Sequence, residues 1–206
     1  MTGRLITFEG GDGAGKSTQI TRLADYLAGF GIPVLCTREP GGTAEAEAIR
    51  ALLVSGEADW EPLTEAMLHY AARREHVEKR IRPALAAGEW VISDRFYDST
   101  VAYQCYGQGL ATEDEAALRR LAVGDLQPDL TLMLDISVKT GRERAQARQE
   151  SRYEAMNDDL HHRVRAGFLE IARREPQRVA VVDAARDPDN VAAAVQTIVA
   201  GRFGLS

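Results

Sequence analysis

Apolar positions along this chain come in two rhythms. Short apolar runs of strand length stand at about Leu5 to Glu9, Pro33 to Thr37, Trp90 to Ser93, Leu130 to Asp135 and Val179 to Asp183. Between them apolar residues recur every three or four positions, the spacing of a half-buried helix. This predicts helices from Lys16 to about Ala28, from a Thr43 cap to near Val54, from about Tyr97 to Gly107 and from Glu113 to Val123. Others follow from Ser137 to about Gln149, about Leu160 to near Arg174, and Pro188 to about Ala200. Pro62 opens a longer helix with the apolar stripe Leu63, Met67, Tyr70, Val77, Ile81 and Leu85. His69, Arg73, His76 and Arg80 fall on an adjoining face at i, i+4, i+7 and i+11. Alternating strand and helix predicts an α/β fold: one five-stranded parallel sheet with helices on both faces. Residues 1–206 read as a single domain without internal repeats.

The turn after the first strand carries the first chemistry. Gly10-Gly11-Asp12-Gly13-Ala14-Gly15-Lys16-Ser17, followed by Thr18, has the form G-x-x-x-x-G-K-S between a strand and a helix. Gly10, Gly13 and Gly15 let the backbone turn its N–H groups inward around phosphate oxygens, and the helix start adds its positive dipole end. Lys16 can reach the β and γ phosphates, and the Ser17 hydroxyl can hold Mg²⁺. The bland alternative is a glycine turn opening an ordinary helix, but the flanking strand and helix favour a P-loop. The fold then becomes a three-layer P-loop NTPase architecture.

Composition narrows the partners. Net charge is −6 and the pI about 5.3, which gives no global basic field for a nucleic-acid polymer. Lysine occurs only at Lys16, Lys79 and Lys139, and arginine carries the remaining positive charge. Cys36 and Cys105 have no pairing pattern, no apolar run reaches the length of a membrane span, and the N-terminus lacks a signal pattern. These features read as cytoplasmic.

Other strand ends point to a second ligand. Asp94 closes the third strand at the carboxyl edge, where parallel sheets bind ligands, and suits an outer Mg²⁺ ligand; the alternative is a helix-capping Asp. Arg95 beside it and Arg38, in a Pro-Gly-Gly turn after the second strand, look like a clamp for a second phosphate-bearing molecule. Glu39-Pro40 in that turn has the chemistry of a cis bond. Such a clamp argues for transfer rather than hydrolysis. Thr100, Tyr103 and Gln104 share one helix face with a hydroxyl, a phenol and an amide, enough to read a polar heterocycle and its sugar. Core packing is the competing role for Tyr103. Arg142, Arg144, Arg148 and Arg152 crowd a polar segment, about 142–159. They read either as a solvated face balanced by Glu143, Glu150 and Glu154, or as an arginine-bearing lid that stabilises charge during phosphoryl transfer. No serine–histidine–aspartate set is needed, since an ionised phosphate oxygen is already a nucleophile.

These pieces together resemble bacterial thymidylate kinases over about Leu5 to Asp183. The most specific are Glu9 to Ser17, Thr37-Arg38-Glu39-Pro40-Gly41-Gly42-Thr43, Tyr70-Ala71-Ala72-Arg73, Asp94-Arg95-Phe96 and Ala102-Tyr103-Gln104. The resemblance implies ATP plus dTMP giving ADP plus dTDP with Mg²⁺. It implies that Arg38 and Arg95 hold the dTMP phosphate and that Asp12 lies near the sugar 3′-hydroxyl. Arg73, Thr100 and Gln104 would face the thymine edge, and Tyr103 would disfavour a ribose. Arg144 would sit with ATP, and Arg148 and Arg152 would be the catalytic lid arginines, because the P-loop carries Gly13 and Ala14 instead. A homodimer packed through helices is also implied. His69 stands where the family has a phenylalanine stacked on thymine, and Gln108 where it has an arginine. Rival readings are a P-loop kinase for another nucleotide and a nucleotide switch; the chain lacks the guanine motif that a GTPase switch would carry.

Overall fold

The computed structural model describes residues 3–54, 58–145 and 157–205. Strands β1 (Leu5–Glu9), β2 (Val34–Arg38), β3 (Trp90–Asp94), β4 (Leu130–Asp135) and β5 (Val179–Asp183) form one parallel sheet in the order β2-β3-β1-β4-β5. Phe8 and Arg38 both pair with Asp94, so the ends of β1, β2 and β3 lie level on one edge. The helices are α1 (Lys16–Ala28), α2 (Ala44–Val54), α3 (Pro62–His76), α4 (Arg82–Ala86), α5 (Tyr97–Thr100), α6 (Thr112–Val123), α7 (Val138–Ala145), α8 (Asp158–Arg174) and α9 (Pro188–Phe203). No helix among the described residues is long and apolar enough to cross a membrane.

Both faces of the sheet are covered, so β1 is buried along its length, including Thr7 and Glu9. Ile6 and Phe8 pack with Leu23 and Leu27 of α1 and with Val195 and Val199 of α9. On the other face Leu5 packs with Tyr70, Val77, Ile81, Phe96 and Tyr97. Met133, Tyr103 and Phe168 of α8 make a third cluster. Each such side chain contributes roughly 1.5–3 kcal/mol by leaving water. The segment after β3 is tied down by charge as well. Asp98 of α5 accepts from Arg178 Nη1 at 2.6 Å and Nη2 at 2.9 Å, and Arg178 Nη1 also donates to Thr131 Oγ1 at 2.7 Å.

The long helix opened by Pro62 is not one regular α-helix. It widens to a π-helical turn at Val77–Ile81 before α4 resumes. Pro83 has no N–H for the α ladder, and the Arg82 N–H donates back to the Val77 carbonyl, five residues earlier. The wider turn rotates the register, so His76 is buried while Arg80, expected on the same face, is exposed. Met67, expected in the apolar stripe, is also exposed. A second π-helical stretch, Val101–Gly107, continues α5 and carries Tyr103 and Gln104.

Candidate active site

The turn between β1 and α1 has the geometry of an anion cradle. Gly10, Gly13 and Gly15 sit at φ +128°, +76° and +89°. Space as well as dihedral angle demands glycine at two of them: a Cβ on Gly10 would lie 2.4 Å from the Leu134 carbonyl oxygen, and one on Gly13 only 2.0 Å from that of Gly141. Ala14 turns its methyl into the core. Gly15 caps α1 in a left-handed conformation with no side-chain acceptor, so the first amides of the helix face outward unclaimed by a cap. Lys16 is buried, and its Nζ donates to the carbonyls of Gly10 at 3.2 Å and Gly11 at 3.1 Å.

Across from this loop stand the ends of β2 and β3. Ser17 Oγ donates to Asp94 Oδ2 at 3.5 Å, and the buried Asp94 Oδ1 has no partner among the described residues. An orphaned carboxylate oxygen beside a hydroxyl fits a hard cation such as Mg²⁺. Among the described residues no group of three His, Cys, Asp or Glu could hold a metal by itself, so such a cation would lean on phosphate oxygens and water. Arg95 adopts φ +69°, left-handed for a non-glycine residue. Its Nη2 donates to Asp12 Oδ1 at 2.7 Å, and its Nη1 to the Gly10 carbonyl at 3.2 Å and Ser99 Oγ at 3.0 Å. Tyr103 OH donates to the other Asp12 oxygen at 3.3 Å. Burial works to raise the Asp12 pKa, but Arg95 and Lys16 outweigh it and hold the carboxyl below its ordinary value.

Farther along, Glu39 organises the turn that carries Arg38. The Glu39-Pro40 bond is cis. Glu39 Oε2 accepts from Arg73 Nε at 2.6 Å and Oε1 from His76 Nδ1 at 2.9 Å, while His76 Nε2 meets Thr37 Oγ1 at 2.7 Å. Burial opposes ionisation of Glu39, but Arg73 and His76 together bring its pKa below the ordinary value. Arg73 also donates to Thr100 Oγ1 and the Phe96 carbonyl, both at 3.1 Å. One cavity of about 580 Å³ joins these groups. The loop from Asp12 to Thr18, Arg38, Arg95, Arg73 and Gln104 all line it.

Comparison with known proteins decides the family. A family model described as thymidylate kinase matches residues 8–195. The thymidylate kinase of Caulobacter vibrioides is 53% identical over 205 residues, spanning 98% of this chain and 99% of its own. That of Magnetococcus marinus is 49% identical over 212 residues, spanning 100% of both chains. The crystal structure of thymidylate kinase from Ehrlichia chaffeensis matches at 35% identity with a TM-score of 0.81, covering 97% of this chain and 100% of that one.

The chain belongs to the thymidylate kinase family. It is therefore a kinase of the nucleoside monophosphate type, on the five-stranded P-loop fold that its sequence predicts.

Within this thymidylate kinase framework the residues singled out in the sequence meet in one place, with some surprises. His69, Thr100 and Tyr103 line the cavity beside Arg73. Arg38 lines it too, yet its Nη2 lies 3.2 Å from both Glu47 carboxylate oxygens, an exposed pair of little intrinsic strength. Arg144 lies at the other end, donating to the Ala184 carbonyl at 2.9 Å. Arg148 and Arg152 lie outside the described residues. Sequence reasoning missed the roles of Glu39, Glu9 and Ser99. Glu9 is buried, accepts from the Phe96 N–H at 2.7 Å and Ser99 Oγ at 2.6 Å, and so anchors the segment that carries Arg95. Burial, reinforced by nearby Asp98, pushes its pKa up to about 8. An acid at the end of an apolar strand was the only available signal, and it does not distinguish a buried anchor from a solvated end.

Proposed function

We propose that this protein transfers the γ-phosphoryl group of ATP to dTMP, giving dTDP and ADP. The observation that carries the reading is the single cavity shared by the P-loop and Arg95, which gives two phosphate-binding groups one space. The P-loop amides and Lys16 hold the ATP phosphates. Arg95 and Arg38 hold the acceptor phosphate, whose ionised oxygen is the nucleophile. The protein's work is to place the two phosphates in line and neutralise charge. Ser17 and Asp94 would hold Mg²⁺, which supplies charge neutralisation on the transferred group. Arg73, Thr100, Gln104 and His69 meet the base, while Asp12 and Tyr103 meet the sugar.

Arg148 and Arg152 remain the proposed transition-state arginines, on the sequence alone. The described arginines lining the cavity, Arg38, Arg50, Arg73, Arg95, Arg144 and Arg186, all bond to protein oxygens, which supports looking beyond them. Arg148→Ala or Arg152→Ala is expected to lower kcat by about 10³ with little change in either KM. If neither does, the catalytic arginine lies elsewhere. A homodimer through α3 and α6 also belongs to this reading; the exposed Met67 and Leu121 support it, and a monomer mass in light scattering would remove it. A cytoplasmic location fits the free Cys36 and Cys105, and secretion to an oxidising compartment would contradict it.

The test is ADP release from Mg²⁺-ATP with dTMP, dCMP, dGMP and AMP as acceptors. dTMP is expected to react far faster than the others. Equal rates with all acceptors would refute the thymine pocket.

A further inference from the structure

Beside the cavity, but not lining it, lies a buried carboxylate to which the reading above gives no role. Glu65 of α3 is fully buried. Gln104 Nε2 donates to its Oε1 at 3.4 Å, and Gln108 Nε2 donates to its Oε2 at 3.1 Å. Gln108 is one of the two positions, with His69, at which the resemblance leads one to expect another residue. Its own amide oxygen is buried without a partner among the described residues, so its nitrogen faces Glu65 even though its oxygen goes unsatisfied. The reason is elementary. A carboxylate offers only lone pairs, so an amide beside it must present N–H; the flipped amide would set two acceptors against each other in a dry site.

Gln104 is itself buried and lines the cavity. We propose that Glu65 is a positioning residue that fixes the amide of Gln104 with its nitrogen turned away, so that an acceptor oxygen faces the acceptor base. Thymine carries an N–H at N3, whereas cytosine carries a lone pair there. A fixed acceptor oxygen therefore favours thymine and opposes cytosine. With the amide free to flip, a donor would greet cytosine and the discrimination would weaken. Uracil has the same N3–H as thymine, so the device separates thymine from cytosine and not from uracil. This inference rests on dTMP being the acceptor.

Glu65→Gln tests it, because glutamine keeps the shape but offers both a donor and an acceptor to Gln104. Steady-state kinetics with Mg²⁺-ATP and either dTMP or dCMP, on the full chain, would read the result. The expected outcome is a fall of about tenfold in the dTMP to dCMP ratio of kcat/KM, the worth of one hydrogen bond. KM for dTMP should rise while KM for dCMP falls, and kcat at saturating dTMP should stay near wild type. A merely structural role would raise both KM values together and leave the ratio alone. The swap of Glu65→Gln with Gln104→Glu returns an acceptor to the cavity wall and is expected to restore most of the preference. It decides the matter if the single variant fails to fold. A folded Glu65→Gln protein with the wild-type ratio, or a swap that restores none of it, overturns the inference alone. A wild-type enzyme indifferent to the two bases would overturn the proposed function with it.

Discussion

Arg95→Ala is expected to lower kcat/KM for dTMP by about 10³ while changing the KM for ATP less than about threefold. The figure follows from losing a fork of charge-assisted hydrogen bonds to a phosphate, each of roughly 1.5–3 kcal/mol. The backbone supports so specific an effect. A non-glycine residue at φ +69° costs about 1–3 kcal/mol, and such strain persists where the surroundings over-determine it. Here the Arg95 N–H donates to the Phe8 carbonyl at 2.9 Å and Ser93 Oγ donates to the Arg95 carbonyl at 2.8 Å. Those bonds survive the substitution, so the loss should fall on the guanidinium and not on the fold. Arg95→Lys keeps the charge without the fork and should recover only part of the loss. Asp12 is the check on roles, since its carboxylate loses the guanidinium in both variants and keeps the Tyr103 hydroxyl. If ATP affinity collapses and dTMP affinity stays normal, Arg95 serves the donor nucleotide and the assignment is reversed.

Local chemistry was legible in the sequence, and long-range chemistry was not. The β1 strand, the glycine turn and α1 are specified by adjacent residues, so their position and purpose could be read together. Asp94, Arg95 and Arg38 could be placed because a parallel sheet brings its strand ends to one edge. Glu39, Glu65 and Glu9 escaped for a common reason: each is an acid whose meaning lies in a partner 34 to 90 positions away, as with Glu39 and Arg73 or Glu9 and Ser99. In the sequence such a residue looks like any solvated charge. Gly141 is a similar case. By propensity it is a weak point in a helix, yet a Cβ there would come within 2.7 Å of the Asp12 carbonyl, so two glycines on separate elements let the loop lie against α7. The stripe from Leu63 to Leu85 predicts one α register along the whole Pro62 helix, but spacing alone does not show that the chain accommodates Pro83 through a π turn at Val77–Ile81.

Lys16→Met should abolish most activity and yet leave the protein as stable as before, or more stable. Methionine keeps the length of the side chain while removing its charge. The folded protein holds the Lys16 amine below its ordinary pKa: burial is the main cause and repulsion from Arg95 the second, with Asp94, Asp12 and Glu9 compensating only in part. Between the folded pKa and the ordinary value near 10.5, the unfolded chain binds more protons, so stability rises with pH across that window. Below the window the folded state carries a buried charge at a cost, and Lys16→Met removes that cost. The carbonyls of Gly10 and Gly11 lose a donor in the exchange, which offsets part of the gain. The expected kcat is lower by about 10³, the scale of deleting one preorganised charge from a phosphoryl-transfer site. Thermal unfolding and single-turnover phosphorylation of dTMP would read the two effects separately. A Tm that drops by several degrees while kcat stays within about tenfold of wild type would mean that Lys16 braces the loop instead of stabilising the transferred group. A steady or higher Tm with the large kinetic loss would mark Lys16 as a residue kept at the expense of stability for its chemistry.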